Sequence, residues 1–208
     1  MIKAIAIGLT GQTGSGKSTV GEMLSKIGYY IIDCDKIAKL VTEKGSPVLN
    51  ELALAFGNDV VSGDGELNRK LLAKRAFANK EATSTLNNIT HPVITRHVNK
   101  KVNGAFFNGY DVVVIDAPAL FESGIDKSCD IVVSVVADEN IRLQRIMKRD
   151  NIDADSAQLR IKAQYDEEYY KSHSDIIIKN DSDLKALKEQ LSELLNLIEV
   201  KRNEENKQ

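Results

Sequence analysis

Short apolar runs rich in β-branched residues recur along the chain at residues 2–9, 29–32, 112–115, 131–136 and 176–178, each bounded by Asp, Gly or polar residues. Their hydrophobicity is near-continuous rather than alternating, which is the pattern of parallel strands covered on both faces. Between them lie segments of helical length with apolar positions spaced near 3.6 residues: 18–27, 46–56, 69–77, 81–102, 140–149, 153–170 and 183–198. Strands alternating with helices predict an α/β fold with right-handed crossovers around a mainly parallel five-stranded sheet.

No strand signal interrupts residues 36–102, so this helical stretch reads as a substrate lobe inserted into a core of about residues 1–35 and 109–200. The lobe extends to about residue 108, with loop signals at Gly63-Asp64-Gly65 and at residues 103–108. Residues 201–208 are charged or polar and are expected to fray.

Composition narrows the class of partner. Lys and Arg number 28 against 30 Asp and Glu, a formal charge of −2, so no global cationic surface marks the chain as a nucleic-acid binder. No stretch approaches the ~20 apolar residues of a membrane span, and residues 5–9 are too short for a signal-peptide core. Cys34 and Cys129 are far apart and form neither a zinc spacing nor a disulfide framework. A cytoplasmic, reducing location fits these features; oligomeric state is not legible.

The chemistry begins directly after the first strand. Gly11-Gln12-Thr13-Gly14-Ser15-Gly16-Lys17-Ser18 satisfies G-x-x-x-x-G-K-[ST] in a strand–loop–helix context, the arrangement in which backbone N–H groups and a helix N-terminus cradle phosphates. In that reading Lys17 reaches the β- and γ-phosphates, Ser18 offers its hydroxyl to Mg²⁺, and Thr19 helps hold phosphate at the helix start. The bland alternative is a ligand-free glycine turn. The loop alone does not say whether phosphate passes to water, to a metabolite or nowhere.

Asp33 and Asp35 stand at the carboxyl end of the second strand, where ligands of open parallel sheets bind. In extended chain both carboxylates share a side, one to orient an acceptor hydroxyl and the other to bind it or a metal-bound water. For Asp35, a helix N-cap before residues 36–41 is the competing role. Arg142, Arg145 and Arg149, spaced i, i+3, i+7, make either a phosphate-facing stripe on a mobile lid or a solvated helix face. Asp116 ends an hhhhD run as a second metal-associated acid or as a turn cap before Pro118. Tyr165, Tyr169 and Tyr170 follow helical spacing and favour packing over base stacking. No N-K-x-D guanine-reading motif occurs, which disfavours a nucleotide switch.

Together with the phosphate loop, further features run in order: Asp33-x-Asp35, Gly65-x-Leu67-x-Arg69, Leu86-Asn87 leading to His91-Pro92, Pro118-x-Leu120-Phe121-Glu122, Arg145-x-x-x-Arg149-Asp150 and Asp175-x-x-Ile178-x-Asn180. In these the chain resembles the dephospho-coenzyme A kinase family from about residue 2 to residue 180. The resemblance implies a three-layer P-loop kinase fold with a helical substrate-binding insertion and a lid at about residues 140–165. It implies transfer of the ATP γ-phosphate to the ribose 3′-hydroxyl of dephospho-CoA, with Mg²⁺ and without nucleic-acid or membrane partners. Asp33, Lys17 and Arg145 then take catalytic positions. Gly11, Gly14, Ser15, Gly16, Lys17, Ser18, Thr19, Arg145 and Arg149 hold ATP, Ser18 holds the metal, and Asp33, Asp35, Arg69 and His91 hold the acceptor. Gln12, Thr13, Cys34 and Ala119 depart from the family pattern without removing a reactive group. A kinase for a nucleotide or another small alcohol would use the same loop, sheet and lid.

Overall fold

The computed structural model of the chain describes residues 4–204. Five strands form one sheet: β1 (Ile5–Gly11), β2 (Tyr30–Asp33), β3 (Val112–Asp116), β4 (Ile131–Val136) and β5 (Ile176–Lys179), in the order β2-β3-β1-β4-β5. The pairs β1–β3, β1–β4 and β4–β5 are parallel, with Ile7 opposite Val114 on one side and Ile131 on the other. The expected first strand starts at residue 2, outside the described residues. Every residue of β1 and of β4 is buried, which is why their sequences do not alternate.

The chain divides into two compact units, one of residues up to 32 together with those from 102 onward, the other of residues 33–101. In the first unit, Ile5, Ile7, Leu9, Val112, Val114, Ile131, Val133 and Val135 present one face of the sheet to α1 (Lys17–Lys26) and the C-terminal helix Leu184–Glu204. That helix contributes Leu187, Leu191, Leu194 and Ile198, a single stripe at i, i+4, i+7, i+11.

The second unit holds α2 (Cys34–Leu40), α3 (Val48–Phe56), α4 (Arg69–Ala76) and most of α5 (Lys80–Phe107). Its separate core joins Val48, Leu52 and Phe56 to Val60, Leu72 and Ala76, with Leu86, Ile89 and Val93 packed against them. Asn68 caps α4 by accepting from Leu71 N–H at 3.1 Å. The loop at residues 63–65 closes through Ser62 N–H to Glu66 O at 2.9 Å, beside one antiparallel bridge, Val61–Leu67.

Three boundaries differ from the sequence reading. Residues 103–107 are helical, because Val98, Val102 and Ala105 continue α5's buried stripe and burial outweighs the weak helix propensity of Asn103 and Gly104. The expected helix 153–170 is two helices, since Asp153 and Asp166 each accept a backbone N–H, from Ser156 at 2.7 Å and Tyr169 at 2.8 Å, and so start separate turns. With α6 (Leu120–Ser123) and α7 (Glu139–Asp150) preceding them, these are α8 (Ala154–Lys162) and α9 (Glu167–Ser172), and the C-terminal helix is α10. Finally, α10 continues through residues 201–204 rather than fraying there: Lys201 Nζ donates to Asp130 O at 2.6 Å, and Arg202 pairs with Asp111 and Glu199. Residues 205–208 lie outside the described residues. Among the described residues no helix is long and apolar enough to cross a membrane.

Candidate active site

The phosphate-binding motif sits at the carboxyl end of β1, between β3 and β4, where the order of the sheet changes direction, the point at which open α/β sheets bind ligands. Gly16 precedes α1 in the left-handed region, φ 94°, and contributes no side-chain cap, so the helix presents an uncapped, positive N-terminus. Within the loop, Gln12 N–H goes to Val135 O at 3.2 Å, Thr13 N–H to Gln164 Oε1 at 2.6 Å and Ser15 N–H to Gln12 O at 3.1 Å. Among the described residues the amides of Gly14, Gly16, Lys17 and Ser18 donate to no protein acceptor. Four open donors, three of them consecutive, at a helix start are what a di- or triphosphate requires.

The glycines answer to the packing behind the loop. A Cβ on Gly14, φ 78°, would lie 2.8 Å from Arg142 O, and one on Gly16 would fall on Asn180 Nδ2. Arg145 Nη1 donates to Gly14 O and Ser15 O, each at 3.3 Å, and its Nη2 donates to Asn180 O at 3.0 Å. Asn180, 8% exposed, adds Nδ2 to Ser15 O at 2.7 Å. In a trans peptide the carbonyl and the following N–H point opposite ways. Holding these two carbonyls from behind therefore turns the amide of Gly16 to the other side of the loop.

Lys17 Nζ is ion-paired with Asp116 Oδ1, both side chains being largely buried at 15% and 19% exposure. This brings together two residues the sequence treated separately and gives Asp116 a place beside the loop. Ser18 is exposed at the start of α1. The Ser18 hydroxyl and the Asp116 carboxylate are hard oxygen donors suited to Mg²⁺, which keeps several waters and needs few protein ligands. Among the described residues no group of three His, Cys, Asp or Glu side chains able to hold a metal ion occurs.

The three-arginine face separates. Arg142 is buried and donates Nε to Ala137 O at 3.0 Å, as part of the core, where burial lowers its pKa. Of the three side chains, that of Arg145 hydrogen-bonds the loop. Arg149 is exposed and forks onto Asp150, Nε–Oδ1 2.8 Å and Nη2–Oδ2 2.9 Å, with Arg160 on the same carboxylate. In this structure Arg149 thus belongs to a solvated charge network. Tyr165 and Tyr169 stack at 3.7 Å, and Tyr169 stacks on His173 at 4.0 Å. Tyr170 is 1% exposed, and burial, with the nearby Glu122 charge, pushes its hydroxyl up to about 12 against a smaller opposing effect of Arg142.

In the second unit the two aspartates part company. Asp33 closes β2 and is itself the N-cap of α2: its Oδ1 accepts Lys36 N–H at 2.9 Å and its Oδ2 lies 3.4 Å from Lys36 Nζ. The cap that competed with a functional role for Asp35 falls to Asp33; Asp35 lies inside α2, and the two carboxylates do not share an extended face. Burial raises the Asp33 pKa as the largest single influence, yet the Lys36 N–H and ammonium with the Asp35 N–H outweigh it and hold the carboxyl below its ordinary value.

Asp35 lines a cavity of about 400 Å³ with Lys39, Thr42 and Arg69 at its polar part, and Leu72, Phe77 and Ile94 among its apolar walls. Arg69 is braced there, Nη1 to Thr42 Oγ1 at 2.9 Å and Nη2 to Lys39 O at 3.3 Å. His91 is not among the lining residues, although its neighbour Thr90 is. Sequence reasoning missed roles for Gln164 and Asn180. Asn180 follows β5 at the sheet's carboxyl rim, a usable signal; Gln164 sits in a helix–helix connection and carries none.

Comparison with known proteins follows the same lines. A family model described as dephospho-CoA kinase matches residues 5–186. The dephospho-CoA kinase of Corynebacterium glutamicum is 40% identical over 191 residues, covering 92% of this chain and 96% of that protein. Among solved structures, a Thermus thermophilus protein superposes with a TM-score of 0.80 at 29% identity, covering 93% of this chain and 97% of its own. The dephospho-CoA kinase from Campylobacter jejuni gives 0.67 at 28% identity, covering 93% and 96%. With a P-loop kinase core, an open phosphate cradle and a match across most of its length, the chain belongs to the dephospho-CoA kinase family.

Proposed function

We propose that the chain transfers the γ-phosphoryl group of ATP to the ribose 3′-hydroxyl of dephospho-CoA, giving CoA and ADP, the closing step of CoA synthesis. The observation that carries the reading is the run of open loop amides at an uncapped helix start, flanked by Lys17, in a chain of this family. Mg²⁺ bound at Ser18 and Asp116 would neutralise phosphate charge.

The chain's own residues supply the rest. Amides of Gly14, Gly16, Lys17 and Ser18 bind phosphate oxygens, Lys17 exchanges Asp116 for phosphate, and Thr19 supports the helix start. Gly11 lets the strand pass tightly into the loop. Arg145 serves by holding the loop's carbonyls, which orients its amides without any movement at the moment of reaction. Arg149 reaches ATP only by leaving Asp150, as a closing lid would bring about.

Asp33 aligns the acceptor hydroxyl and takes its proton late, since a carboxylate of depressed pKa is a weak base and phosphoryl transfer asks chiefly for positioning. The second unit's cavity, with a cationic polar part at Lys39 and Arg69 and apolar walls, suits an acceptor that carries anionic phosphates and an aliphatic arm. Asp35 and Arg69 bind it there, and His91 lies one residue from that lining.

The test is a panel of acceptors with purified protein, Mg²⁺ and ATP, following ADP formation. Dephospho-CoA should exceed adenosine, nucleoside monophosphates and shikimate by orders of magnitude in kcat/KM; equal or greater turnover of any of these refutes the acceptor assignment.

A further inference from the structure

The hydrogen bond from Thr13 N–H to Gln164 Oε1, at 2.6 Å, spans 151 positions of sequence and ties the phosphate loop to the connection between α8 and α9. It acts on one peptide plane. The N–H of the Gln12–Thr13 peptide is taken by Gln164, and the carbonyl of the same peptide accepts Ser15 N–H at 3.1 Å. Both edges of this rigid plane are therefore fixed. It is the first plane of the turn that presents the open amides of Gly14 and Gly16. Gln12 is itself anchored through its N–H to Val135 O at 3.2 Å, and its side chain is buried.

Gln164 is delivered from a stiff frame. Its own N–H donates to Ile161 O at 3.2 Å, the preceding Ala163 N–H to Leu159 O at 3.1 Å, and the following residue, Tyr165, is stacked on Tyr169 of α9. Because Thr13 N–H can only donate, the oxygen of the Gln164 amide faces the loop and Nε2 faces away from it.

We infer that Gln164 is a positioning residue for phosphoryl transfer, whose side-chain carbonyl sets the Gln12–Thr13 peptide plane and thereby the aim of the loop amides that follow. The inference rests on the phosphoryl-transfer reading above. Arg145 and Asn180 hold the loop by its carbonyls, whereas Gln164 holds it by an amide, so the contacts are complementary rather than redundant. Small misplacement of preorganised donors costs rate more than ground-state affinity.

The test compares Q164M, which keeps length and apolar bulk but has no accepting oxygen, with Q164E, which keeps an accepting oxygen toward Thr13 while the outward amino group becomes a second oxygen and the side chain gains a negative charge. Q164M should lose at least about tenfold in kcat, with KM for ATP and affinity for ADP nearly unchanged. Q164E should recover most of that kcat at saturating ATP. Amide exchange at Thr13, read by NMR in the nucleotide-free protein, should be slow in the wild type and Q164E and faster in Q164M. A Q164M enzyme with unaltered kcat, a loss confined to KM, or equal kcat losses in both variants would overturn the inference, as would Thr13 exchange insensitive to Q164M. Thermal melting of each variant shows whether it is folded, and Thr13 exchange in Q164E decides the matter if Q164M is not. Should the wild type fail to phosphorylate dephospho-CoA, the acceptor reading falls by itself, and Gln164 is then judged by Mg²⁺-dependent ATP hydrolysis and by Thr13 exchange.

Discussion

Replacing Asn180 by Ala removes the Nδ2–Ser15 O hydrogen bond while leaving the backbone of residue 180, which bonds Val136 O and accepts from Arg145, in place. Leaving a buried carbonyl unsatisfied costs about 1–3 kcal/mol. Here Ser15 O retains Arg145 Nη1 at 3.3 Å, so the lower end applies. About 1 kcal/mol lowers Tm by about 2–4 °C in a protein of this size. N180D differs by one atom, yet sets a carboxylate oxygen against a carbonyl oxygen at a site 8% exposed. An uncompensated buried charge costs about 3–5 kcal/mol, and the nearby Arg145 guanidinium brings the expectation to about 3 kcal/mol. The introduced carboxyl has a raised folded pKa, so its penalty shrinks as pH falls through that value and the protonated group again donates. Thermal melts of the three proteins from neutral to acid pH, with KM for ATP measured alongside, read this directly. If N180D melts with N180A at neutral pH, or if neither variant lowers kcat or raises KM for ATP, Asn180 does not organise the loop.

Asp33 has two separable tasks. D33N keeps an equally good helix cap and should lose about 10²–10⁴ in kcat with Tm and KM for ATP little changed, whereas D33A should also lose about 1 kcal/mol of stability. Since the Asp33 pKa is depressed, kcat should be flat through neutrality and fall only in acid, the cap's stabilising contribution disappearing in the same window as pH drops through the folded value. K17A should cut kcat by roughly 10²–10³ and weaken ADP binding in an equilibrium titration. R69A should raise KM for dephospho-CoA about 10–100-fold, the range for losing a charge-assisted hydrogen bond, without altering KM for ATP.

The sheet was legible because burial on both faces writes continuous apolar runs, and the phosphate loop because its glycines, Lys17 and Ser18 lie at fixed offsets. What escaped was decided by contacts distant in sequence. The break between α8 and α9 turns on whether Asp166 caps a turn or rides in a longer helix, and composition does not choose. The arginine stripe was visible as spacing, but its division into a core residue, a loop brace and a surface pair depends on where α7 lies against Ala137 and Gly14, and on Arg149 turning to Asp150 at the helix's own end. Asp33 and Asp35 were read in extended geometry, which ends at Asp33, two residues earlier than that reading assumed. Nothing local marks Gln164, whose partner is 151 residues away.

The pairing of Lys17 with Asp116 has a bearing on turnover. A loop lysine already neutralised by a resident carboxylate must surrender one partner to gain another, so part of the attraction of any incoming polyanion is cancelled in advance. Spent diphosphate is discounted by the same interaction as fresh triphosphate, which favours its departure. The empty loop, meanwhile, is never left with a stranded charge.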